Sequence, residues 1–168
     1  MKYLNVAKPA LLAGVLGFMA LAMAPSPAVA ATATTTFGVS ATVQATCLVS
    51  ATAVAFGTYT GAVANSTSTV SVTCTNTTPY NVGLGAGLAT GATVSTRSMI
   101  GPASALLNYA MYSDSAHSVN WGQTVGTDTV TGTGNGSAQA ITVYGQTAAA
   151  QYVAPGAYAD TITATVTY

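Results

Sequence analysis

Charge is what this chain has least of: 4% of its 168 residues are Asp, Glu, Lys or Arg, where an ordinary soluble protein carries about 25%. Thr, Ser, Asn, Gln and Gly must therefore supply the polar surface. Lys2 and Lys8 both fall in the first ten residues, so beyond them Arg97 alone opposes Asp114, Asp128 and Asp160. One arginine cannot make a basic patch, and nucleic-acid binding, which rests on neutralising phosphates, is excluded. One histidine, His117, and two distant cysteines, Cys47 and Cys74, are too few ligands for a metal centre. No cofactor is implied. Sustained helical periodicity is also missing after the first thirty residues.

A membrane-spanning run is absent as well. Leu11 to Ala24 is apolar but is ended by Pro25 and Pro27, short of the roughly 20 residues a spanning helix needs. With Lys2 and Lys8 ahead of it and Ala28-Val29-Ala30 behind, it reads as an export signal over residues 1–30, cleaved so that the mature chain begins at Ala31. Export takes the two cysteines into oxidising surroundings, so an even count predicts a Cys47–Cys74 disulfide.

What the chain does have is alternation. From Phe37 the odd positions are apolar (Phe37, Val39, Ala41, Val43, Ala45, Cys47) and the even ones are Gly38, Ser40, Thr42, Gln44 and Thr46, the period of a strand with one buried face. Val54 to Phe56 reads as a short strand, and Ser66 to Thr75 alternates again with Val70, Val72 and Cys74 in phase. Tyr80 to Ala86, Leu106 to Tyr112, a weak stretch over Thr124 to Thr131, Ala140 to Tyr144, and Tyr158 to Tyr168 complete the series. Strands at this spacing, punctuated by turn residues, predict an all-β sandwich. In the last of them Ile162, Ala164 and Val166 share the apolar phase, whereas Asp160 falls on it and is expected at the strand's wet beginning.

Catalytic chemistry finds no support. Gly83, Gly85 and Gly87 precede no helix that could bring its N-terminus to a phosphate. Asp114, Ser115 and His117 crowd one loop rather than converging from separate elements, and no Gly-x-Ser-x-Gly elbow is present. The chain is not expected to be an enzyme. Trp121-Gly122 reads as a closure of the core.

An amphipathic strand thus precedes a domain whose last strand can lack an edge partner, and an open apolar edge needs cover. Addition of an extended segment from another subunit would cover it. Several pieces together resemble the spore coat protein U domain family, the pilin subunits of archaic chaperone–usher pili. They are the Cys47/Cys74 pair, Leu107 to Asp114, Trp121-Gly122, Val143-Tyr144-Gly145, and Pro155-Gly156-Ala157-Tyr158-Ala159-Asp160-Thr161-Ile162 with the strand that follows. The resemblance implies an incomplete immunoglobulin-like β-sandwich completed by an N-terminal donor strand from a neighbouring subunit. It implies a periplasmic chaperone that lends a strand, an outer-membrane usher, and identical subunits in a linear polymer at the cell surface that serves adhesion and biofilm formation. Carried onto this chain, residues 31–45 are the donor strand, with Phe37, Val39, Ala41 and Val43 entering the neighbour. Residues 46–168 are the sandwich, with Ile162, Ala164 and Val166 along the acceptor groove. The alternatives are a carbohydrate- or surface-binding sandwich at a fibre tip or in a coat, and a secreted coat protein that does not polymerise.

Overall fold

A computed structural model describes residues 27–168. Most of the expected export signal, residues 1–26, lies outside the described residues. The chain divides into two units, Met1–Ser40 and Ala41–Tyr168. In the first, residues 27–40 form no strand and are exposed throughout. The second contains eight strands: β1 (Cys47–Ala51), β2 (Asn65–Cys74), β3 (Pro79–Leu84), β4 (Arg97–Ile100), β5 (Leu106–Tyr112), β6 (Val130–Thr133), β7 (Gln139–Thr147) and β8 (Ala164–Thr167).

The strands build two antiparallel sheets, one of five in the order β1-β2-β7-β5-β4 and one of three in the order β6-β3-β8. Alternation decides which residues meet between them. Val70 and Val72 of β2, Leu107, Tyr109 and Met111 of β5, and Val143 of β7 are buried on the larger sheet, and Tyr80, Val82 and Leu84 of β3 on the smaller. Trp121 is wholly buried and its indole N–H donates to the Val82 carbonyl at 2.8 Å. The bulky ring therefore closes the core without leaving its one donor unpaired. Two packed sheets of this kind are an immunoglobulin-like sandwich.

Cys47 and Cys74 face each other at the first register pair of β1 and β2 and are joined by a disulfide. Closing that 27-residue separation contributes about 3.5 kcal/mol in the chain-entropy account.

Three expected strands are corrected. Val54 to Phe56 is no strand: after Ala51 the chain leaves the sheet and the Val54 and Phe56 side chains drop toward the core. The weak strand over 124–131 is displaced to β6, because the Asp128 carboxylate accepts the Thr124 N–H and holds 124–128 in a turn. The single strand over 158–168 is divided. Ala159 exchanges two hydrogen bonds with Ile100 at the end of β4 in the larger sheet, and the chain then crosses to pair with β3 as β8. β4 itself carries no alternation that the sequence exposes, since one of its two inward residues, Arg97 beside Met99, is an arginine.

That arginine is the only lysine or arginine among the described residues and is fully buried. Its guanidinium donates to the carbonyls of Gly85 (2.8 Å), Val94 (2.6 Å), Leu84 (2.8 Å) and Trp121 (2.7 Å). Arg97 thus ties the edge strand of one sheet to the end of β3 in the other. Burial lowers its pKa, but an arginine remains protonated. Lysine has three donors on one atom and cannot span four carbonyls in a plane. Arg97→Lys is expected to cost about 2–4 kcal/mol through acceptors left unpaired, read as a lowered urea midpoint with the fold's strand signature retained below it.

Candidate functional site: an open groove between the sheets

Three strands cannot cover five, and the uncovered part lies beside β8. The Thr163 carbonyl accepts the Gly85 N–H at 2.9 Å, so Thr163 points its backbone groups at β3. Antiparallel pairing alternates; Thr165 and Thr167, opposite Gly83 and Asn81, continue that phase. The backbone groups of Ile162, Ala164 and Val166 consequently face the other edge, where no strand is hydrogen-bonded among the described residues, although β1 passes close to β8. Their side chains pack against the core, whereas Thr161, Thr163, Thr165 and Thr167 are exposed.

Next to that edge is a groove of about 500 Å³. Val70, Met111 and Val143 form its floor, and Ile162 and Ala164 line one side. Val54 and Phe56 line it as well. Val166 packs against the core beyond the groove's lining. A second cavity of about 720 Å³ continues past Val54, Phe56, Met99 and Tyr158, which line both.

Asp160 stands where the chain crosses between sheets. It is half-buried rather than at a wet beginning of the strand. Its carboxylate accepts the Tyr109 hydroxyl at 2.6 Å, the Leu88 N–H at 2.8 Å and the Thr161 N–H at 2.7 Å. Gly87 leaves room for it: with φ at +90° it has a backbone that favours glycine, and a Cβ there would collide with the carboxylate. Asp160 on the apolar phase was the one sequence signal for this crossing. Val54 and Phe56 gave none, because a short apolar run reads equally as a strand, and Met99 gave none because it lies beside Arg97 in β4.

The donor residues expected from sequence belong to no strand among the described residues. Phe37 and Val39 are 85% and 87% exposed and Val43 is 85% exposed. Ala41 is exposed too, and no strand forms before Cys47 among the described residues. In the loop after β5, the Asp114 carboxylate accepts from the Val119 N–H and from the Ser118 N–H and hydroxyl, which hold its pKa below the usual range. His117 stands edge-on to Tyr112 at 5.3 Å and to Tyr144 at 6.2 Å. These contacts shape the loop; they aim no nucleophile and base at a common point.

The profile of the Spore Coat Protein U domain matches residues 33–165. The chain belongs to that family. Among solved structures it is similar to a chain in the crystal structure of the CsuC–CsuE chaperone–tip adhesion subunit pre-assembly complex, from archaic chaperone–usher Csu pili of Acinetobacter baumannii. That similarity has a TM-score of 0.53 at 24% identity and covers 76% of this chain. This chain spans 40% of the matched one. No curated protein matches. The fold of this spore coat protein U domain is therefore shared with a chain of a pilus assembly complex.

Burial, then the hydrogen bond to Asp160, pushes the Tyr109 phenol above its ordinary value of 10.0. The folded domain holds this proton more tightly than the unfolded chain does. The resulting stability is fully present below pH 10 and declines as pH rises beyond it. Tyr109→Phe should lose the Asp160 hydrogen bond at neutral pH yet flatten the decline above pH 10, compared by thermal unfolding across pH 7–11.

Proposed function

We propose that this chain is a structural subunit of a surface fibre of the chaperone–usher kind, polymerising by donor-strand complementation. Residues 1–30 are the cleaved signal, 31–45 the donor strand, and 46–168 the domain that accepts a strand. The observation that carries the reading is the match between two incomplete parts. One is an apolar groove beside a β8 edge whose backbone groups at Ile162, Ala164 and Val166 are hydrogen-bonded to no strand among the described residues. The other is an alternating segment exposed on all sides.

A donor laid along β8 hydrogen-bonds to that edge and turns Phe37, Val39, Ala41 and Val43 into the groove. Each Phe or Val buried this way contributes roughly 1.5–3 kcal/mol. Identical subunits joined head to tail give an open linear polymer when the rotation between neighbours does not close a ring. Before assembly a periplasmic chaperone supplies the strand, and an outer-membrane usher exchanges it for the neighbour's. The product is a fibre on the cell surface, serving adhesion and biofilm formation.

Register makes the reading testable, because a one-residue shift exchanges buried and exposed sets. An Asp at Val39 or Val43 brings an unpaired carboxylate into an apolar groove, a penalty of several kcal/mol. Fibres should then be absent from the cell surface by electron microscopy. An Asp at Ser40 or Thr42 faces solvent and should change stability within about 0.5 kcal/mol, with fibres retained. All four chains should keep the domain's circular dichroism. Equal loss of fibres in all four, or unfolding caused by the inward pair, refutes donor-strand polymerisation.

Deleting residues 31–45 tests the same asymmetry from the other side. The truncated chain should still be captured by chaperone and should cap growing fibres, yet build none alone. Fibres of normal length made only of truncated chains would contradict the donor role.

A further inference from the structure

The groove is not empty of the chain's own side chains. After Thr52, whose N–H donates to the Thr69 carbonyl at 2.9 Å, the chain leaves β2 and runs to Gly57 without joining a sheet. Along it, only Ala55 is held to β2, through its carbonyl and the Ser66 hydroxyl at 2.7 Å. Val54 and Phe56, two residues apart as on a strand, turn inward. Both rest on Gly145 of β7, whose missing side chain is their seat: a Cβ there would stand 2.9 Å from Val54 Cγ1 and 3.0 Å from Phe56 Cζ. The Phe56 ring also leans on Tyr109, with centroids 6.0 Å apart. Gly57 follows at φ +71° and Gly61 at φ +87°, backbone settings that allow sharp turns on the far side.

We propose that residues 52–60 form a built-in strap that shields the groove in the unassembled subunit and is displaced when a donor strand enters. This rests on the donor-strand reading above and adds a gate to it. Val54 and Phe56 present the same kind of apolar, two-residue repeat as the incoming donor and cover the same floor. The strap lacks the donor's backbone ladder, since it makes no hydrogen bonds to β8. A competitor with side chains but no ladder protects the core and still yields to a partner that supplies both. The apparent affinity for a donor is then reduced by the fraction of chains whose strap is closed.

The test uses a coincidence of composition. The three phenylalanines are Phe18, Phe37 and Phe56, so the exported chain from Ala31 labelled with 4-fluorophenylalanine carries two fluorine signals. Carrying V39D to block its own donor, it is titrated with an unlabelled peptide of residues 31–45. The Phe56 signal, assigned by its loss in Phe56→Leu, should move to the solvent-exposed position as peptide binds. Phe56→Ser should raise the peptide's association rate about tenfold, as expected when a closed pre-equilibrium is opened. If Phe56→Ser fails to fold, Gly145→Ala, which crowds the seat without touching the strap's sequence, should accelerate binding in the same way. Peptide binding with the Phe56 signal unmoved and the rate unchanged overturns the strap while leaving the fibre reading intact. No peptide binding by any of these chains overturns the donor-strand reading and the strap together.

Discussion

A three-stranded sheet set against a five-stranded one leaves part of the larger sheet's apolar face covered by loop side chains rather than by a facing strand, and the rest of the domain is arranged around that shortfall. The floor residues Val70, Met111 and Val143 sit on central strands, so the shortfall falls on the core rather than on a rim. Trp121 plugs elsewhere in the sandwich, where its indole reaches the Val82 carbonyl. The Cys47–Cys74 disulfide fastens the edge strand β1 to β2. Each of these stabilises a domain that lacks the burial of a full second sheet.

Arg97 shows how little charge such a core needs. A buried cation without a carboxylate partner is costly unless its donors are satisfied, and here four carbonyls satisfy it. Because two of them end β3 and one follows β5, the guanidinium fixes the separation of the sheets at one end. Asp160 does the complementary task for the crossing of the terminal segment, accepting from β5, from the 85–96 loop and from its own neighbour. Two ionic groups serve as hydrogen-bond hubs rather than as an ion pair, Arg97 between the sheets and Asp160 at the groove.

How much of this could be read from sequence follows from what alternation encodes. β2, β3, β5 and β7 were legible because each has one buried and one wet face, and the disulfide was legible from export and cysteine count. β4 was hidden because its inward phase pairs Met99 with Arg97, which is polar by type and buried by context. β6 was misplaced because the Asp128 turn lies in its local sequence neighbourhood. Ile162 and Ala164 share the apolar phase of their stretch and line the groove, but the crossing at Asp160 depends on a long-range bridge, Ile100 to Ala159, that no local pattern contains. The segment 37–43 has a strand's sequence and no strand's structure, since a strand's hydrogen bonds require a partner and no strand is paired with it among the described residues.

The open edge is also unusually unprotected. Natural sheets blunt an exposed edge with lysine, proline or a bulge, but β8 reads Ala-Thr-Val-Thr and has none of these. The low charge of the chain removes the general remedy, repulsion between copies. A strand like this, next to an apolar groove, would pair with any extended chain unless something in the subunit competes for the groove. Any such competitor must be weaker than the intended strand, or assembly stops. Side chains without a backbone ladder meet that condition, and Val54 and Phe56 on Gly145 are placed to supply them. On the fibre reading, the feature that makes the edge hazardous is the one that makes it useful. The same unpaired groups of Ile162, Ala164 and Val166 that invite aggregation give the donor its ladder, so protection must be temporary rather than built into β8.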